Sequence, residues 1–208
     1  MTTAYRRARP TGLIGFIFGT QADYVRRLTP LFLLCLGGFV FSLVVGYNMG
    51  DSISTTLLDD LIGALPDLGE LDITAIFLFI VFNNVTKSFL WMVLGVVGGF
   101  MPLYFSVMNG FLLGHFSYAI ALERSLAFTA AALLPHGVIE VPAILLSSAA
   151  GMGLGYQLIN RLRGRGSLRA EFGRALRLFV TKVIPLLLLS AILEVSLTPF
   201  LVTLFGFE

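Results

Sequence analysis

Apolar stretches of about 20 residues, the length that an α-helix needs to cross the hydrocarbon core of a bilayer, recur along almost the whole sequence. Of the 208 residues, 57% are hydrophobic and 12% are charged, which is about half the charged fraction of a soluble domain. Backbone N–H and C=O groups must be hydrogen-bonded internally in lipid, and a helix satisfies them within one segment. The sequence therefore predicts an all-α, polytopic transmembrane helical bundle that forms a single membrane domain over residues 1–208.

Five crossings are predicted from the apolar stretches and the turn residues between them. Residues 125–134 are predicted as a short helix at the outer surface or a re-entrant segment. A sixth crossing would arise if this segment passed fully through the membrane, or if the second span broke at Asn83 and Asn84 into two half-helices. Pro135 is predicted as the first helical residue of the fourth span, and Pro142 is expected to bend that span. The predicted spans cover residues 30–47, 73–99, 101–122, 132–159 and 178–204.

The distribution of arginines predicts how the chain is oriented. Arginines precede the first span and recur in the loop before the last span, whereas residues 48–72 are acidic. Under the positive-inside rule, residues 1–29 and 160–177 are cytoplasmic, and the acidic loop and the C-terminus lie outside. An interfacial amphipathic helix is predicted within residues 1–29, and a short surface helix within the acidic loop. The two groups are Arg6, Arg7, Arg9, Arg26 and Arg27, and then Arg161, Arg163, Arg165, Arg169, Arg174 and Arg177.

Polar side chains also occur within the predicted spans, where burial in lipid is costly unless they pair or reach water. His136 and Glu140 are four residues apart, so they lie on one face of a helix. We expect these groups to converge at mid-bilayer as a candidate functional centre. They are Asn83, Asn84, Lys87, Asn109, His115, His136, Glu140 and Glu194.

Glycine pairs four residues apart predict close helix packing, because they allow two helix backbones to approach each other. Three such pairs on different segments favour packing inside the bundle over homodimerisation. The pairs are Gly95 and Gly99, Gly110 and Gly114, and Gly151 and Gly155.

The order and spacing of several motifs resemble the stage II sporulation protein M family of integral membrane proteins. The resemblance implies a non-catalytic membrane component, which in endospore formers belongs to a complex with cell-wall hydrolases that drives engulfment. Relatives in organisms that make no spores are also expected. The motifs are Phe82-Asn83-Asn84 with Lys87, Gly95 with Gly98 and Pro102, Asn109-Gly110 with Gly114, and Pro135-His136-Gly137 with Glu140 and Ala143.

We therefore predict a non-enzymatic scaffold or interaction subunit of a cell-envelope assembly, multi-pass in the cell membrane. Its expected partners are the lipid bilayer and envelope proteins, with a homo-oligomer as an alternative. Neither cofactor nor catalytic residue nor metal ligand is assigned, and the net charge of +2 gives no indication of nucleic-acid binding.

Two other functions remain open. A small solute or ion translocator would use the same polar residues, as transporters use polar groups at helix breaks. An intramembrane metal-dependent hydrolase would use His136 and Glu140, with His115 or Glu194 as the third ligand. The latter pattern is weaker than His-Glu-x-x-His, because it lacks the second helical histidine and the adjacent general base.

Overall fold

The computed structural model describes residues 21–52 and 72–204, and within these ranges it contains helices and no β-strand. Five helices in the described part are long and apolar enough to cross a membrane, which confirms the predicted all-α fold with five crossings. The last of them, Leu168–Leu204, is built from three consecutive helical elements. The elements are α1 (Ala22–Asn48), a 3₁₀ turn (Gly50–Ser52), α2 (Ile73–Leu94), α3 (Phe100–Glu123), α4 (Leu126–Leu162), α5 (Leu168–Leu178), a π-helical segment (Phe179–Val183) and α6 (Ile184–Leu204).

The first span begins earlier than predicted. Residues 22–29 are the first turns of α1, and Pro30 lies inside this helix, whereas the sequence placed residues 1–29 at the interface. The remainder of the predicted interfacial helix and the surface helix of the acidic loop lie outside the described residues. The orientation of the chain in the membrane stays a prediction.

The second span, for which a break at Asn83 and Asn84 was left open, is one continuous helix, α2. Asp72 caps it by accepting a hydrogen bond from the Ala75 N–H at 2.7 Å. Asn83 Nδ2 donates to Asn84 Oδ1 at 3.2 Å, so these two amides bond to each other rather than compete for the helix backbone. The helix ends at Leu94 instead of residue 99, and Gly98 and Gly99 make the following turn with φ of 68° and 78°.

The fourth span also differs from its prediction. Ser125 caps α4, its Oγ accepting from the Phe128 N–H at 3.1 Å, so residues 126–134 are the first turns of α4 rather than a separate or re-entrant helix. Pro135 therefore lies inside the helix together with Pro142. A proline is tolerated there because neighbouring groups in a membrane bundle can satisfy the freed carbonyl. The preceding helix, α3, ends at Glu123, and Arg124 is its C-cap.

Glycines bring the backbones of neighbouring helices into contact in two places. Gly110 faces the carbonyl of Phe39, and Gly114 that of Leu43, which joins α3 to α1. On the other side of the bundle, Gly151 and Gly155 of α4 lie against Met92 and against the turn after α2. Gly95 and Gly99 flank that turn instead of lying together on one helix, because α2 ends before them.

Candidate functional site

A cavity of about 740 Å³ lies between α2, α4 and α6; we call it the polar cavity. Six of the eight polar residues singled out in the sequence line it, which brings together side chains that are more than a hundred residues apart in the chain. The polar lining consists of Asn83, Asn84 and Lys87 from α2, His136 and Glu140 from α4, and Glu194 from α6; the apolar lining consists of Ile73, Ile76, Phe79, Ile80, Val195 and Pro199.

The α2 wall is a stripe at helical spacing. Ile76, Ile80, Asn83 and Lys87 follow one another at intervals of three and four residues, so they lie on one face of the helix. Lys87 is exposed and the two asparagines are half-buried. The Lys87 side chain is therefore less covered by the rest of the chain than the Asn83 and Asn84 side chains are.

The α4 and α6 walls bring one imidazole and two carboxylates together. One ring nitrogen of His136 and one carboxylate oxygen each of Glu140 and Glu194 all lie within 4.8 Å of one another. The His136 Nδ1 atom is 3.5 Å from Thr198 Oγ1, and Thr198 follows Glu194 by one helical turn. This group can accept protons or hold a cation, and Lys87 on the facing wall contributes the opposite charge.

The other two polar residues singled out in the sequence do not line the polar cavity. Asn109 donates to the Phe105 carbonyl of its own helix at 2.8 Å, and it shares with Glu140 a separate cavity of about 110 Å³. Glu140 thus lies between the two cavities. His115 is buried in α3, and neither of its ring nitrogens has a hydrogen-bond partner among the described residues.

A second polar cluster was missed by the sequence analysis, which treated residues 160–177 as a basic loop. The Glu171 side chain is only 4% exposed and pairs with Arg174, while Arg27 Nη2 of α1 lies 3.9 Å from the same carboxylate oxygen. The guanidinium of Arg27 is 5.4 Å from the centre of the Tyr24 ring. The spacing of Glu171 and Arg174, three residues apart, was the available signal.

The fold and the polar cavity define a class of protein: an all-α polytopic membrane protein with charged groups gathered between its helices. Within this class the chain belongs to the stage II sporulation protein M family, because the family model with that description matches residues 30–199. The match covers most of the chain and includes every residue of the polar cavity.

Two uncharacterized proteins of Methanocaldococcus jannaschii are similar to the chain. One is 31% identical over 113 residues, which is 53% of this chain and 47% of that protein. The other is 28% identical over 125 residues, 58% of this chain and 70% of that protein. The chain thus spans less than half the length of the first relative. None of the solved structures matches it.

Proposed function

We propose that this chain is a non-enzymatic scaffold or interaction subunit of a cell-envelope assembly, and that it is a multi-pass protein of the cell membrane. The observation that supports this proposal is the poor coverage of α2. This helix is long and apolar enough to span the membrane, yet only 6% of its most apolar stretch is buried inside the chain. Lys87 is exposed on it, and Asn83 and Asn84 are half-buried.

Polar side chains at membrane depth nearly always face protein or a water-filled cavity. A partner helix beside α2 would supply hydrogen bonds to its amides and ammonium, each stabilising the association by about 0.6–2 kcal/mol. A carboxylate on that partner would complement Lys87. The expected partner is therefore another envelope membrane protein, and a second copy of this chain is the alternative.

Site-specific photo-crosslinking in native membranes tests this proposal with a matched pair of positions. Phe82 on α2 and Phe41 on α1 are both 72% exposed, so a photoreactive phenylalanine analogue fits either site without disturbing the core. We expect a discrete protein adduct from position 82 and lipid adducts from position 41, and Lys87→Leu should weaken the former. Lipid adducts alone at position 82 would contradict the proposal.

A second candidate function is translocation of a small solute or ion, which the volume and the mixed charges of the polar cavity favour. In proteoliposomes carrying a pH-sensitive dye and a sodium tracer, a translocator should show flux that Glu140→Gln abolishes while the protein stays folded. Flux that survived this substitution would exclude Glu140 from the pathway.

A further inference from the structure

The geometry points to a divalent transition-metal site formed by His136, Glu140 and Glu194. The sequence left His115 and Glu194 as alternative third ligands of a metal-dependent hydrolase, and the structure places Glu194 in the group. The inference is a binding site rather than that hydrolase, and it goes beyond the proposed assembly role, which depends on α2. All three ligands come from α4 and α6, so the ion would join these two helices.

The three donor atoms are already close to the separations that such a site requires. They lie within 4.8 Å of one another, and bonds of about 2.0–2.2 Å in a tetrahedral site place the donors of one ion about 3.3–3.6 Å apart. Small side-chain rotations close the difference. His136 and Glu140 are one helical turn apart on α4, so both can reach the same ion.

Thr198 provides support for the histidine. A metal-bound imidazole usually donates its second ring N–H to a fixed acceptor, which sets the tautomer and the ring orientation. Thr198 Oγ1, 3.5 Å from His136 Nδ1, is placed to be that acceptor, which leaves Nε2 for the metal.

Pro199 leaves one backbone carbonyl of α6 without its usual helical partner. Because proline has no N–H, the carbonyl of Val195, four residues earlier in α6, lacks its helical hydrogen bond. Val195 and Pro199 both line the polar cavity. This carbonyl or water can complete the coordination of an ion held by one nitrogen and two carboxylate oxygens.

The charges of the cavity also favour a divalent cation. Two carboxylates at membrane depth are costly without compensation, and Lys87 supplies only one positive charge on the facing wall. An imidazole ligand favours an ion such as Zn²⁺, whereas Mg²⁺ and Ca²⁺ favour sites built from oxygen alone. Because the ion would bind the folded bundle, its binding should appear as added stability.

Metal analysis of the full chain in detergent tests the site. After treatment with a chelator, incubation with Zn²⁺ and gel filtration, we expect about one Zn²⁺ per chain and a higher melting temperature, with no such rise in Mg²⁺. His136→Gln and Glu194→Gln should both lose the ion and the stabilisation. Glu123→Gln is the matched control, because this exposed carboxylate at the end of α3 lies outside the site and should leave binding unchanged.

Lys87→Gln tests the site in the opposite direction. Removing the ammonium from the cavity should strengthen Zn²⁺ binding roughly 3–10-fold, since a nearby like charge is worth about 0.7–1.4 kcal/mol here, and 1.4 kcal/mol is a factor of ten. This variant keeps the three ligands, so its result does not depend on whether the His136→Gln and Glu194→Gln variants fold. Three results would each overturn the inference. The first is a monodisperse wild-type chain that retains no Zn²⁺, the second is Zn²⁺ retention in both ligand variants, and the third is a Zn²⁺ affinity that Lys87→Gln leaves unchanged. Crosslinking from position 82 is measured in the chain that keeps Lys87, so its result is independent of whether the metal site exists.

Discussion

At the scale of single residues, the glycines of α4 differ in what surrounds them. A Cβ added to Gly155 would meet the Cα of Gly99 at 2.5 Å and the carbonyl oxygen of Gly95 at 2.6 Å, whereas one added to Gly137 would meet nothing within 4 Å. We expect Gly155→Ala to destabilise the protein by about 1–3 kcal/mol, because two backbones must separate. Gly137→Ala should be neutral or stabilising by up to about 1 kcal/mol, since alanine favours a helix.

Thermal unfolding in detergent measures the difference between these two variants. Equal melting temperatures would mean that α4 does not pack against the turn after α2 as described.

A buried serine hydroxyl also joins two helices. Ser147 Oγ of α4 donates to the Ser88 carbonyl of α2 at 2.9 Å. Ser147→Ala should lower the stability by about 0.6–2 kcal/mol, the range for hydrogen bonds between membrane helices. Ser196→Ala is the control, because the Ser196 hydroxyl is exposed and bonds to the Ile192 carbonyl of its own helix. Denaturant titration should separate the two, and a larger loss at Ser196 would argue against this contact.

At the scale of elements, the sequence predicted the helices better than their ends. Hydropathy located all five spans, because each apolar stretch must become a helix in lipid. Pro135 led to a wrong start for the fourth span, and Asn83 and Asn84 left a break in the second span open, because these residues interrupt helices in water. In α2 the two amides bond to each other, and in α4 the start is set by Ser125, ten residues before the proline.

An ion pair within α5 involves the buried carboxylate of Glu171. Arg174 donates to Glu171 from Nε at 3.2 Å, and a hydrogen bond to a charged group contributes about 1.5–3 kcal/mol. Because the Arg174 side chain is 43% exposed, solvent screening should hold the loss in Arg174→Gln to about 1 kcal/mol. Arg169→Gln removes the same charge from an exposed position of the same helix and should have no measurable effect on the melting temperature. Equal losses would indicate that net charge, rather than this ion pair, stabilises α5.

At the scale of the whole molecule, the positive-inside prediction can be tested with single cysteines. Cys35 is fully buried, and replacing it by alanine gives a cysteine-free background. Glu123→Cys should react with a membrane-impermeant maleimide in intact cells, whereas Arg165→Cys should react only after permeabilisation. The reverse pattern would place the N-terminus outside.

The sequence predicted that polar groups would meet within the membrane, but it did not predict which of them line the polar cavity. Lipid offers such side chains no hydrogen-bond partners, so they turn to one another or to water. This favours the meeting of α2, α4 and α6 at the polar cavity. Asn109 and His115 belong to α3, and α3 packs on α1 through Gly110 and Gly114. Which helices become neighbours follows from three-dimensional packing that one sequence does not reveal. The approach of Arg27 to Glu171 was missed for the same reason, whereas the pairing of Glu171 with Arg174 could have been predicted from their spacing.

The π-helical segment Phe179–Val183 determines which side of α6 faces the other helices. A π turn accommodates one residue more than an α turn, which shifts the angular phase of the downstream helix by about 100°. Wound as an ordinary helix, the same residues would swing Glu194 and Thr198 away from His136 towards another side of the bundle. One widened turn near the predicted cytoplasmic surface thereby determines that the Glu194 carboxylate, several turns further along the helix, faces His136.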